Sequence, residues 1–121
     1  MKLLFASFLA LYLGAAPTQK HEVVGVWKFI SEDGTGLVIH FGEDNVYRVD
    51  FVGDGSYDLK GAYIAKDNNI SITDSEGDCE GKTGIYTMTF EGNEMALTQL
   101  SEECEARVAG EGEKLKFSRQ E

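Results

Sequence analysis

Cysteine, histidine and positive charge are all scarce in this chain of 121 residues. It has two cysteines and two histidines, and 11 lysines and arginines against 21 acidic residues. The two cysteines and the two scattered histidines give no metal-ligand spacing, so no metal site is assigned. A formal net charge of -10 argues against nucleic acid and against anionic membrane surfaces as partners; its plainest meaning is solubility. Catalytic signatures are missing too: there is no G-x-S-x-G, no H-E-x-x-H and no phosphate loop. Carboxylates are abundant, but they lie in loops with nothing to raise their pKa. No catalytic residue and no cofactor is therefore assigned, and the chain is not read as an enzyme. No long helical period occurs, and beyond the first residues no apolar run is long enough to span a bilayer.

The N-terminus reads as a secretory signal peptide. Lys2 supplies the positive region, Leu3 to Leu13 the apolar run, and Gly14-Ala15-Ala16 the small-residue end. Cleavage is expected between Ala16 and Lys20, which divides the chain into residues 1–18 and a single domain over 19–121. The mature protein is expected to be secreted or periplasmic, monomeric and free of the membrane. In an oxidising compartment, an even cysteine count favours a Cys79–Cys104 disulfide over a metal pair.

The stretch from Gly61 to Cys104 reads as one unit written twice. Gly61-Ala62-Tyr63 matches Gly84-Ile85-Tyr86, and the turn at 67–69 matches the turn at 91–93. Ile72-Thr73 matches Leu97-Thr98, and Cys79 matches Cys104. Each copy is strand, tight turn, strand, acidic loop, cysteine. Two such hairpins in sequence make an antiparallel meander whose return strands run in the same direction, with both cysteines beyond one rim.

Period-two alternation predicts eight strands, at residues 23–30, 37–41, 46–52, 57–65, 70–73, 83–90, 94–100 and 114–118. One face collects every aromatic residue outside the signal peptide. The other carries Lys28, His40, Arg48, Asp50, Asp58 and Lys60. His21 falls in the N-terminal arm. A sheet with one apolar face and no helix to cover it must curl onto itself. The expected fold is an all-β, eight-stranded, antiparallel up-and-down barrel, closed by pairing the last strand with the first.

Gly25-Val26-Trp27 on the first strand resembles the G-x-W signature of lipocalins and other calycins. The stretch Thr73-Asp74…Gly77…Cys79…Gly81…Gly84…Tyr86…Gly92…Leu97…Cys104…Arg107 resembles the small, secreted, bacterial lipocalin-like domain family. The resemblance covers roughly residues 22–118. It lacks the length and the C-terminal helix of full-size lipocalins. It implies that Trp27 plugs the closed end beneath an arginine near the end of the last strand. Arg119 lies next to Trp27 in a closed barrel, whereas Arg107 falls in a loop at the opposite rim. Arg119 is taken as the partner of Trp27, with Arg107 as its competitor, and either way the role is read as structural.

The inward aromatics either fill the barrel or leave room for one small ligand. The candidate ligand-binding residues are Phe29, Tyr47, Phe51, Tyr57, Tyr63, Tyr86 and Met88. The tyrosines would either satisfy one another or offer hydroxyls to a ligand. The leading expectation is binding of a small, largely apolar molecule. The alternative is a protein-binding module, such as an inhibitor of an envelope hydrolase, with a filled barrel. The loops at the disulfide end carry Glu32, Asp33, Asp54, Asp74, Glu76, Asp78, Glu80, Glu102, Glu103, Glu105, Glu111 and Glu113. Read as a solvated acidic rim, they favour neutral or cationic ligands over fatty acids. Asp74, Glu76 and Asp78 alternate as calcium ligands could, without the rest of a calcium loop.

Overall fold

A computed structural model describes residues 21–30, 36–107 and 114–120. The signal-peptide segment, and Glu32, Asp33, Glu111 and Glu113 of the acidic rim, lie outside the described residues. Eight strands follow in order: β1 (Gly25–Phe29), β2 (Val38–Phe41), β3 (Val46–Asp50), β4 (Leu59–Lys66), β5 (Asn69–Asp74), β6 (Thr83–Glu91), β7 (Glu94–Glu102) and β8 (Lys114–Gln120). Each pairs antiparallel with its chain neighbour, and β8 pairs with β1, so the sheet closes into an up-and-down barrel. Closure removes both sheet edges, as the alternation required.

The inward face is apolar where the period-two pattern placed it. Trp27, Phe41, Tyr47, Tyr63, Ile70, Met88, Met95 and Phe117 form its buried core. One end is sealed. Trp27 donates its indole N–H to Val23 O at 2.8 Å, and the Arg119 guanidinium lies 4.3 Å over the Trp27 ring. Arg119 also donates to Val24 O at 3.0 Å and to Glu22 O at 2.7 Å, so it ties the N-terminal arm across the barrel end. Gly25 makes this possible. It sits at φ 140°, and a Cβ there would meet Arg119 Nη1 at 2.6 Å. The glycine and the tryptophan of G-x-W are thus two parts of one plug.

The region between β3 and β4 departs from the alternation. Strands were expected to reach Val52 and to restart at Tyr57. Instead β3 ends at Asp50 and residues 51–58 form a loop. The cause is the Asp50 carboxylate, expected on the outer face but buried. It accepts the backbone N–H groups of Val52, Gly53, Asp54 and Gly55 at 2.8–3.3 Å. Burial alone would raise its pKa; the four donors outweigh that and hold it below the usual carboxylate range. With the strand broken, Tyr57 loses its inward parity. It is 47% exposed and stacks outside on His40, with ring centroids 6.2 Å apart.

The disulfide end and its cavity

The end opposite Trp27 is open. Beneath it lies a cavity of about 500 Å³, lined mainly by aliphatic and aromatic side chains from β2, β3, β5 and β8. Of the seven candidate ligand residues, Tyr47, Phe51 and Tyr86 line it. Phe51 stands at the mouth, 50% exposed. The other four lie elsewhere. Tyr57 is outside the barrel. Tyr63 packs edge-on against Phe41, 5.1 Å between centroids, and donates to Gly42 O at the sealed end. Met88 is buried in the core, and Phe29 packs on Phe117 at 5.4 Å. Aliphatic side chains such as Ile39, Val49, Ile72 and Leu115 also form its walls; in the sequence they carry only the period-two pattern of any core residue, with no signal that separates wall from filling.

The polar groups at this end differ from expectation as well. Asp74 and Glu102 do not belong to a solvated rim. Their side chains are only 3% and 0% exposed, and both are paired with Arg107. Arg107 donates through Nε and Nη2 to the Glu102 carboxylate at 2.9–3.2 Å, and through Nη2 to Lys82 O at 2.7 Å. Its Nη1 lies 2.9 Å from Asp74 Oδ1. No N–H of that nitrogen is aligned on an acceptor, so this contact is one of charge rather than a directed hydrogen bond. Tyr47 donates its hydroxyl to Asp74 Oδ1, and Tyr86 donates to Glu102 Oε2. Tyr47 and Tyr86 therefore do not satisfy one another; each serves a buried carboxylate.

Local structure explains how these groups meet. A bulge between β6 and β7 pairs Tyr86 with Gln99 but Ile85 with Ser101, leaving Leu100 as the extra residue. The bulge reverses the face of everything after it, and Glu102 turns inward opposite Gly84. Asp74 lies opposite Gly61, the equivalent glycine of the first repeat. Both glycines leave room for a phenol. A Cβ on Gly61 would meet the Tyr47 hydroxyl at 2.6 Å, and one on Gly84 would meet Tyr86 Cε1 at 2.9 Å. After Glu102 the chain turns through Cys104 into a short 3-10 turn, Glu105–Arg107, which returns the guanidinium onto Glu102. Cys104 is bonded to Cys79, with Cα atoms 5.6 Å apart. The bridge ties this turn to the β5–β6 loop, so two walls of the mouth are held together. Closing a loop of 25 residues contributes about 3.5 kcal/mol by chain entropy.

The electrostatics follow from burial. Burial would raise the Glu102 pKa, but hydrogen bonds from Arg107 and Tyr86 prevail and hold it below the ordinary value. Burial, reinforced by the adjacent carboxylates, pushes the Tyr47 and Tyr86 phenols far above theirs, so both stay protonated. Burial opposes the charge on Arg107, and Glu102 outweighs it. Two carboxylates against one guanidinium leave this cluster net negative. Among the described residues no set of three metal-ligating side chains comes together. Asp74 in particular is committed to Arg107 and Tyr47, which removes it from the alternating acidic run; Glu76 and Asp78 are exposed.

The fold and this end of it define a small closed β-barrel with a sealed base and a disulfide-stapled mouth over an apolar cavity. No model of a known protein family matches the chain, and no curated protein matches it.

Proposed function

We propose that this is an exported binding protein that holds a small, largely apolar molecule inside its barrel. The observation that carries the reading is the cavity of about 500 Å³, within the size range of small-molecule sites and lined mainly by apolar side chains. An eight-stranded barrel packed for stability alone would fill that space with side chains. The resemblance of the Gly25-Val26-Trp27 plug and Arg119 to lipocalins agrees with this use of the fold. The disulfide and the signal-peptide pattern agree with an oxidising compartment outside the cytoplasm. On this reading the barrel works as a monomer that favours neutral or cationic ligands, without enzymatic activity or a cofactor.

The second reading is a protein-binding module, and its support is the loop after β3. Phe51, Val52 and Tyr57 stand exposed there beside the mouth, on a turn fixed by Asp50. Native mass spectrometry of protein purified from its own host separates the two. The binding reading expects a mass increment of a few hundred daltons that organic solvent removes. A second polypeptide and no small adduct would favour the module.

A further inference from the structure

Resting on the ligand-binding reading, we infer that the cavity takes a neutral molecule with an apolar body and one acceptor oxygen, a carbonyl being the simplest case, and that Arg107 Nη1 is the donor to that oxygen. Most polar groups at this end of the cavity are already paired. Tyr47 donates to Asp74, and Tyr86 donates to Glu102. Arg107 directs Nε and Nη2 to Glu102 and Lys82 O. Its Nη1 is the exception. It is buried and lies 2.9 Å from Asp74 Oδ1, yet among the described residues no acceptor is aligned on its N–H bonds. Oδ1 already has a directed donor in the Tyr47 hydroxyl. A buried N–H without an acceptor is uncommon in folded proteins and calls for a partner. Arg107 lines the cavity, so a ligand held there can supply one. Nη1 has almost no exposed surface, so the oxygen reaches it through a small displacement of the guanidinium toward the cavity.

The unpaired donor and the surrounding charge together choose the class of ligand. An ammonium group has three N–H bonds and no acceptor, so it leaves Nη1 unsatisfied. Asp58 and Asp78 border the cavity too, but both are exposed, and an ammonium drawn to them stays in water at the mouth. A carboxylate has the acceptor, but it adds a third negative charge where Asp74 and Glu102 already outnumber Arg107. Those two side chains are 3% and 0% exposed, so salt screens the repulsion little. A neutral carbonyl satisfies the donor and adds no charge. Leu37, Ile39, Val49, Ile72 and Leu115 on the rest of the wall suit a hydrocarbon body.

Arg107 also braces the mouth, and a substitution there would mix binding with folding. The test therefore uses the native, disulfide-intact protein at pH 7. Affinity is read by displacement of N-phenyl-1-naphthylamine with 2-nonanone, octanoate and octylamine. Nitrogen-15 labelling of arginine reads the guanidinium N–H signals, with Arg48 and Arg119 as internal controls. 2-Nonanone is expected to bind at least ten-fold tighter than either ion. It should move the Arg107 Nη1 proton signal downfield and leave Arg48 and Arg119 unmoved. The infrared stretch of its bound carbonyl should fall from the value in hexane toward the value in water. An unmoved Arg107 signal or a hexane-like carbonyl on bound 2-nonanone overturns Arg107 as the donor and leaves the cavity reading standing. Octanoate or octylamine binding as tightly as the ketone overturns the neutral assignment. Failure of N-phenyl-1-naphthylamine and of all three ligands to bind overturns the binding reading itself.

Discussion

Arg107 holds the open end together, and it does so from a turn that carries no strand pattern. Alternation assigns side chains along strands, and it has no means of showing a loop arginine folding back onto a carboxylate five residues upstream. Glu102 was hidden for a related reason: without the bulge at Leu100, its place in the sequence reads as loop. A sign was nevertheless present. Gly61 and Gly84 are repeated at equivalent positions, and each lies opposite a carboxylate that a tyrosine reaches. Arg107→Met should leave Asp74 and Glu102 buried without their counter-charge and cost about 3–5 kcal/mol at pH 7. The pH response should differ as well. In the native protein the folded pKa values of Glu102 and Asp50 are lowered. Their stabilisation is present above the ordinary carboxylate value, about pH 4, and is lost as pH falls through the depressed folded values. In the variant the buried carboxylates bind protons more tightly than in the unfolded chain, so acidification from pH 7 to 5 should narrow the gap. Urea melts at the two pH values check this. A gap under 1 kcal/mol at pH 7 would show that the ion pairs do not hold the mouth.

At the scale of the elements, most of the architecture was legible. Strand number, neighbour pairing, closure through β8 and β1, and the inward aromatics follow from alternation combined with short turns. Legibility failed where a side chain captured the backbone. Asp50 gathers four N–H groups, ends β3 early and sends Tyr57 outside, whereas the period-two pattern extended both strands through that region. The glycines of the repeat are the firmest link between sequence and site. Gly61 pairs with Tyr47 on one side and Asp74 on the other. A Cβ there would press on the Thr73 carbonyl and on the Tyr47 hydroxyl at 2.6 Å, and the carbonyl belongs to a paired strand. Gly61→Ala is expected to destabilise the barrel by about 1–3 kcal/mol, as other overpacked cores do. Chemical denaturation measures it. A loss below 0.5 kcal/mol would mean that Tyr47 does not cross Gly61.

The molecule as a whole is built with two unlike ends. Trp27, Arg119 and the N-terminal arm seal one; Cys79–Cys104 and Arg107 brace the other without filling it. The charge is distributed accordingly. Exposed Asp54, Glu76, Asp78, Glu80, Glu103 and Glu105 surround the mouth, while the two acids nearest the interior are neutralised in part by Arg107. Salt screens the exposed rim strongly and the buried pair little. All of this depends on the interior being open. Fluorescence titration with the uncharged probe N-phenyl-1-naphthylamine tests that directly, with Leu97→Trp as a substitution that fills the cavity from its wall. The structure predicts saturable binding of one probe per barrel, reduced at least ten-fold in the folded Leu97→Trp variant. An absence of saturable binding, or equal binding by the filled variant, would contradict it.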